Sequence, residues 1–410
     1  MLLSYRDRQF WKTFHTRHWQ PRIPTVIRRP FKIFPFPEEL LFRSMNVFVE
    51  GLRGGDQRKP CLVSIGDSVT APRRPLRALF QENSKSLERL EEACALVFPK
   101  KNFGLMVNHM QAVDPGIWSA LIAFLQDGRP WIGSPPRAFF DLFYGNYSSS
   151  FTGLHKDTQE IIAFVVRGRK RILAWPFEYF LSRVKGLAPK DRYFNKRLAI
   201  DHRKYRKDAV VLDAGPGDII YWPSDHWHVS EVQDGQFSAM LSLGLFRQDG
   251  LTEKKLSSLL SQEMTGTVTR PDAAGQLRWM TGFGFELGGP ASDSSLREGN
   301  VVVKKTKSSI ILWNKNKARR RILVASNGHS ITLPHSSKLE RLLEQISQGK
   351  SVTYSNTTRP AHSNRCNIFE THWNKQREFK TLKLASRRDH SACLIDWLIR
   401  VYAVEVHFSI

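Results

Sequence analysis

Apolar residues recur at helical spacing through the first third of the chain. Pro35-Phe36-Pro37-Glu38-Glu39-Leu40 has the Pro and acidic residues of a helix start, and Leu41, Met45, Phe48 and Leu52 continue on one face. Residues 84–97 read as a second helix, with Leu87, Leu90, Cys94 and Val97 inward. Asp114-Pro115 opens a third, which turns Ile117, Leu121, Phe124 and Leu125 to the core. The pattern then changes period. Phe139 to Tyr144, interrupted only by Asp141, reads as a strand, and the continuous apolar run Ile161 to Val166 as a buried one. Arg167-Gly168-Arg169-Lys170-Arg171 turns the chain into a further strand, Ile172-Leu173-Ala174-Trp175.

The pattern breaks after Phe246. Residues 251–263 form an expected helix with Leu256, Leu259 and Leu260 on its apolar side. Gly282 to Pro290 and Ser292 to Ser295 read as a linker. From about 300, Val301 to Val303, Ile310 to Trp313 and Ile322 to Ala325 read as strands. Ser337-Lys338-Leu339-Glu340 reads as a capping box for a helix bearing Leu339, Leu342, Leu343 and Ile346. A last helix over about 390–403 carries Cys393, Leu394, Trp397, Leu398 and Val401. A chain of 410 residues exceeds one typical domain. The expected division is 1–247, a helical and linker segment over 248–299, and a small α/β module over 300–410.

Hydrophobic residues make up 41% of the chain, enough for true cores. The net charge of +24, with a pI near 10.1, changes the picture. A field of that sign draws nucleic acid, acidic proteins or anionic surfaces, without choosing among them. Much of it lies between Arg183 and Lys207, where Tyr193, Phe194 and Tyr205 are interleaved with cations, and in the Lys315–Arg321 turn. The first reads as a solvated insertion or as a substrate-recognising loop. Cys61, Cys94, Cys366 and Cys393 are scattered, with neither a disulfide framework nor a zinc spacing. No stretch has the length of a membrane span, so the expectation is a cytoplasmic protein without a membrane partner.

The chemistry concentrates between Gly153 and Glu231. His155 and Asp157 are two apart, so on a strand they share a face. Alone, such a pair is more often structural than a ligand set. A further His follows the turn Gly215-Pro216-Gly217-Asp218, in Pro223-Ser224-Asp225-His226-Trp227-His228. Two His and one carboxylate make the facial triad of non-haem iron oxygenases. Spacing leaves His226 and His228 both open as the third member. Alternation also puts Lys170 on the face of Ile172 and away from Arg169 and Arg171, inside rather than in a solvated turn.

These motifs, with Trp175-Pro176 and Pro216 to His228, resemble the JmjC, or cupin-like, Fe(II)/2-oxoglutarate oxygenases. The branch is that of the asparaginyl hydroxylase of hypoxia-inducible factor and the ribosomal oxygenases. The resemblance spans roughly residues 10–247. It implies an α+β architecture: a double-stranded β-helix, or jelly-roll, barrel flanked by helices. The C-terminal module is then winged-helix-like by analogy of layout. It implies iron held by His155, Asp157 and His228, the third because the family's ligand directly follows the aromatic. Lys170 falls where the family's lysine meets the distal carboxylate of 2-oxoglutarate. Thr152 and Ser242 match polar positions of that pocket, and Tyr147 and Asn146 are looser matches.

The implied activity is hydroxylation of a carbon on a protein or peptide side chain or on an amino-acid-derived small molecule, with decarboxylation of 2-oxoglutarate to succinate. The alternative class is a non-catalytic cupin-like binding module whose basic surface associates with nucleic acid. The helix after Phe246 is a candidate homodimer interface. Dinucleotide, P-loop and serine-nucleophile motifs are absent from the sequence.

Overall fold

The computed structural model describes residues 8–53, 61–66, 68–70, 76, 79, 86–150, 152–232, 235–247, 285, 289–290, 299–306, 309–316, 320–356, 390–401 and 403–408. These fall into two compact units, residues 1–134 with 138–247, and residues 248–410 with 135–137. The expected helix over 251–263 and most of the linker-like stretch lie outside the described residues.

In the first unit, α1 (Arg8–Phe14) buries Trp11 and Phe14 and leads to β1 (Thr25–Ile27). The helix α2 (Glu38–Arg53) begins directly after Pro37, with Glu38 and Glu39 in the turn where the helix dipole favours acids. Then come β2 (Cys61–Ile65), β3 (Ser68–Thr70) and α3 (Leu87–Val97). The last starts later than its apolar spacing suggests, because Ser86 caps it by accepting from the Arg89 N–H. After β4 (Phe103–Val107), α4 (Pro115–Ile132) is set by Asp114. That carboxylate accepts from Gly116 N at 2.6 Å and Ile117 N at 3.3 Å, and pairs with Arg43 at 2.9 Å. Gly128 lets α1 approach: a Cβ there would lie 2.5 Å from the Trp11 ring.

The strands that carry the site follow. They are β5 (Arg137–Gly145), β6 (His155–Lys156), β7 (Glu160–Arg167), β8 (Lys170–Pro176), β9 (Lys196–Arg197), β10 (Val210–Ala214), β11 (Ile219–Trp222), β12 (His226–Val232) and β13 (Ser238–Phe246). They build two antiparallel sheets, ordered β1-β11-β7-β13-β5-β4-β2-β3 and β10-β8-β12-β6-β9. From β5 to β8 the chain changes sheet at every step. After β10 it does so again, through β11, β12 and β13. The turn between β7 and β8 is tighter than expected, only Gly168-Arg169. Gly168 has φ +65°, and a Cβ there would overlap the Phe237 carbonyl oxygen at 2.0 Å.

Between the sheets lies a core of Ile161, Ala163 and Val165 from β7, Ile172 and Ala174 from β8, and Met240 from β13, among others. Period-two alternation sends Ile162 and Phe164 the other way, where Phe164 meets Phe36, Phe124 and Phe140. Burial of each such side chain contributes about 1.5–3 kcal/mol.

The second unit contains β14 (Gly299–Lys305), β15 (Ile311–Asn316), β16 (Arg321–Ser326), β17 (His329–Pro334), α5 (Ser337–Ser347), β18 (Val352–Asn356), α6 (His390–Arg400) and β19 (Val404–Phe408). They form two three-stranded sheets, β18-β14-β19 and β15-β16-β17. Val301, Val324, Leu343, Leu394 and Trp397 share its core. The cap of α5 is Ser336, not Ser337: its hydroxyl accepts from Leu339 N at 3.1 Å. Glu340, the expected partner in the box, instead takes Lys315 at 2.5 Å and His335 at 2.9 Å. Among the described residues, no helix is long and apolar enough to cross a membrane.

Candidate metal centre

His155 on β6 stands directly opposite His228 on β12 in the antiparallel register. Opposed residues of such a pair project to the same face. Their ring centroids are 4.2 Å apart. Asp157, just past β6, places Oδ2 at 3.7 Å from His155 Nε2 and 3.6 Å from His228 Nε2. All the candidate ligand atoms lie within 4.8 Å of one another. Donors at neighbouring positions around a first-row metal, with bonds near 2.1 Å, stand roughly 3 Å apart. The two carboxylate-to-imidazole distances, 3.7 and 3.6 Å, exceed that spacing by a little over half an ångström.

Both imidazoles are oriented by the backbone. His155 Nδ1 is 2.9 Å from the Gly153 carbonyl oxygen, and His228 Nδ1 is 3.2 Å from that of His226. A carbonyl only accepts, so each Nδ1 carries the proton and each Nε2 presents its lone pair to the centre. Burial, and then the neighbouring His155, push the His228 pKa well below its ordinary value, which keeps the ring neutral.

Of the two histidines that spacing left open, His228 faces His155 and Asp157 and His226 turns elsewhere. It is not a member of the cluster. Its Nδ1 is bound to Asp225 Oδ1 at 3.0 Å. Burial disfavours the Asp225 charge, but hydrogen bonds from His226 and Arg22 outweigh it and hold that carboxyl far below the usual range. Arg22 also joins Glu160, a fully buried carboxylate bound by Arg247 and Tyr221 as well. This network pins the start of β7 and of β12 on either side of the site. Sequence reading missed it, because its members are up to 225 residues apart, from Arg22 to Arg247.

Lys170 opens β8 with no exposed surface. Its register partners are Ala214 and Val232, and it lies on the inward face with Ile172. Its ammonium donates to the Tyr147 hydroxyl and sits 4.2 Å from that ring's centroid. Among the described residues no carboxylate pairs with it. Burial lowers its pKa from 10.5 to about 7 and raises that of Tyr147. The Ser230 hydroxyl faces Tyr147 without a well-formed hydrogen bond. Ser230 is two residues beyond His228 on the same face, about 7 Å along the strand. His228, Ser230, Tyr147 and Lys170 therefore follow one another along the inner wall.

The remaining polar residues divide. Ser242 is buried on β13 opposite Ala163, on the inward side. Thr152 lies on the loop before β6, with its hydroxyl 2.8 Å from Ser150 Oγ. Asn146 serves the sheet instead. Its Oδ1 accepts from Phe103 N at 2.7 Å and locks the end of β5 to β4.

No family model matches the sequence, and no curated protein matches it. Solved structures similar to the chain include several of ycfD from Escherichia coli. The X-ray structure of ycfD is 15% identical, with 84% of this chain and 90% of that chain covered and a TM-score of 0.42. YcfD described as a ribosomal oxygenase, in complex with cobalt and 2-oxoglutarate, is 14% identical, with coverages of 83% and 90% and a TM-score of 0.40. The DMSP lyase DddQ from Ruegeria pomeroyi DSS-3 is 17% identical over 27% of this chain and 39% of that one, with a TM-score of 0.17. Likeness at these values bears on neither activity nor substrate, and the functional reading rests on the geometry above.

Proposed function

We propose that the chain is an Fe(II)- and 2-oxoglutarate-dependent oxygenase. It hydroxylates a carbon of a protein or peptide side chain, or of an amino-acid-derived molecule. The two facing sheets, with their alternating strand path, are read as a double-stranded β-helix. The observation that carries the proposal is one wall bearing two elements: a His-Asp-His cluster, and a buried lysine without a counter-ion among the described residues.

The donor set fits iron. Two imidazoles and one carboxylate are a donor set that would suit Fe(II). The chemistry that Fe(II) and 2-oxoglutarate would supply, if held there, is oxygen activation coupled to decarboxylation of the cosubstrate to succinate. The chain's residues do the rest. His155, Asp157 and His228 hold the metal. Gly153 and His226 fix the ring tautomers through their carbonyls. Lys170 supplies the counter-charge that a desolvated distal carboxylate requires, with the Tyr147 hydroxyl beside it. Thr152 and Ser242 add hydroxyl groups at the pocket edge. Ile161, Ala163, Ile172 and Met240 keep water from the interior.

The test is conversion of 2-oxoglutarate to succinate by the full chain, followed by proton NMR. Conversion that requires added iron is expected, and Asp157→Ala should abolish it. An iron-loaded chain that leaves 2-oxoglutarate intact would contradict the proposal and favour a binding module.

A further inference from the structure

The basic insertion brings one arginine onto the metal face. Among the described strands, β9 is the edge of the five-stranded sheet and pairs with β6 alone, His155 opposite Arg197 and Lys156 opposite Lys196. Opposed side chains share a face, so Arg197 projects on the side of His155. Its guanidinium covers Gly153: a Cβ built there would lie 3.2 Å from Nε and from Nη2. Gly153 is the residue whose carbonyl orients His155.

The other four arginines of the insertion are engaged. Arg183 donates to the Tyr179 carbonyl oxygen, and Arg192, Arg203 and Arg206 pair with Glu178, Asp201 and Glu231. Arg197 is exposed and has neither an acidic nor a hydrogen-bonding partner among the described residues. Just before it, Tyr193 and Phe194 are 75% and 60% exposed.

We propose that Arg197 binds a carboxylate of the substrate, and that the substrate is an acidic peptide segment whose apolar residues rest on Tyr193 and Phe194. A guanidinium is suited to a carboxylate through paired N–H donors. The two exposed rings offer contact area that a free small acid would leave uncovered. This inference rests on the oxygenase reading, because it places the peptide at that metal face.

The experiment uses the full chain loaded with Mn(II) or Zn(II). The probe is a short Glu-rich peptide carrying 4-fluorophenylalanine, observed by fluorine NMR. Broadening by the Mn(II) form but not the Zn(II) form reports binding near the centre. Arg197→Gln is expected to weaken binding at least about fivefold, the scale of one charge-assisted contact at a partly exposed site. Arg197→Lys should weaken it less, and Tyr193→Ala with Phe194→Ala should also weaken it. Arg203→Gln, which removes an exposed cation elsewhere in the insertion, should leave it unchanged.

Unaltered binding by Arg197→Gln overturns the inference, as do equal losses in the Arg197 and Arg203 variants. Equal binding of a Gln-for-Glu peptide does so too. Free glutarate binding as tightly as the peptide assigns the site to a small acid and overturns the peptide. Loss of Mn(II) by Arg197→Gln makes the residue a prop for His155 and overturns a substrate role. A wild-type chain that takes up no metal defeats the oxygenase reading itself, and this inference with it.

Discussion

At the scale of single residues, Lys170 has the clearest thermodynamic signature. Its pKa is about 7 in the folded chain and 10.5 when exposed. Between those values the unfolded chain binds more protons, so stability rises with pH across that window. Below about pH 7 the full penalty applies, on the order of several kcal/mol. Lys170→Met is therefore expected to raise the melting temperature of the ligand-free protein, more at pH 6 than at pH 9. Scanning calorimetry at the two values checks this, and a smaller gain at pH 6 would place the amine in a wetter site.

Binding of a dicarboxylate has the opposite linkage. The anion favours the charged amine, so above pH 7 binding must take up a proton. The dissociation constant for 2-oxoglutarate should rise toward tenfold per pH unit above about 7. Calorimetric titrations at several pH values measure it. The inward placement of Lys170 was legible because alternation in R-G-R-K-R-I separates it from three surface cations. Its contact with Tyr147 was not, because an eight-residue stretch, 147–154, intervenes before β6 and no period governs such a loop.

At the scale of elements, the basic insertion departs most from its sequence reading. It is neither a freely solvated run nor a loop hanging wholly at the site. Its apolar residues, Val184, Leu187, Leu198 and Tyr205 among them, pack on Leu173, Trp175, Trp227 and Val229 from the outward face of the five-stranded sheet. Buried Glu231 anchors it through Arg206 at 2.8 Å and His202 at 3.2 Å. Charge density hid this, because widely spaced apolar positions in a loop show no period. Trp227→Ala should cost about 3–5 kcal/mol, through the cavity it leaves. Glu231→Ala should release the insertion, seen as faster amide exchange across 198–209, because it strands a half-buried guanidinium. Unchanged exchange in that variant would mean that the apolar underside alone holds the segment. The helices were easier to read: Asp114-Pro115 states a cap and a first turn outright, whereas the start of α3 depended on which nearby Ser capped it.

At the scale of the molecule, the strand path that brings residues 155, 157 and 228 together is long-range and was reached through family resemblance, not through periodicity. Chain length and the break after Phe246 raised the expectation of a separate C-terminal module; its two small sheets were not legible, since hydrophobic runs show strands without their partners. We expect a chain ending at Arg247 to keep the metal site, because His155, Asp157 and His228, and the Gly153 and His226 carbonyls that orient the two imidazoles, all lie before that residue. Equal cobalt(II) affinity in the short and full chains would bear this out, and loss of affinity would show that the second unit supports the site.

The most direct test of the centre itself is anaerobic Fe(II) titration of the wild type, His228→Ala and His226→Ala. The account predicts one iron per chain for the wild type, a similar affinity for His226→Ala, and loss of binding for His228→Ala. Binding that survives His228→Ala but is abolished by His226→Ala would contradict it.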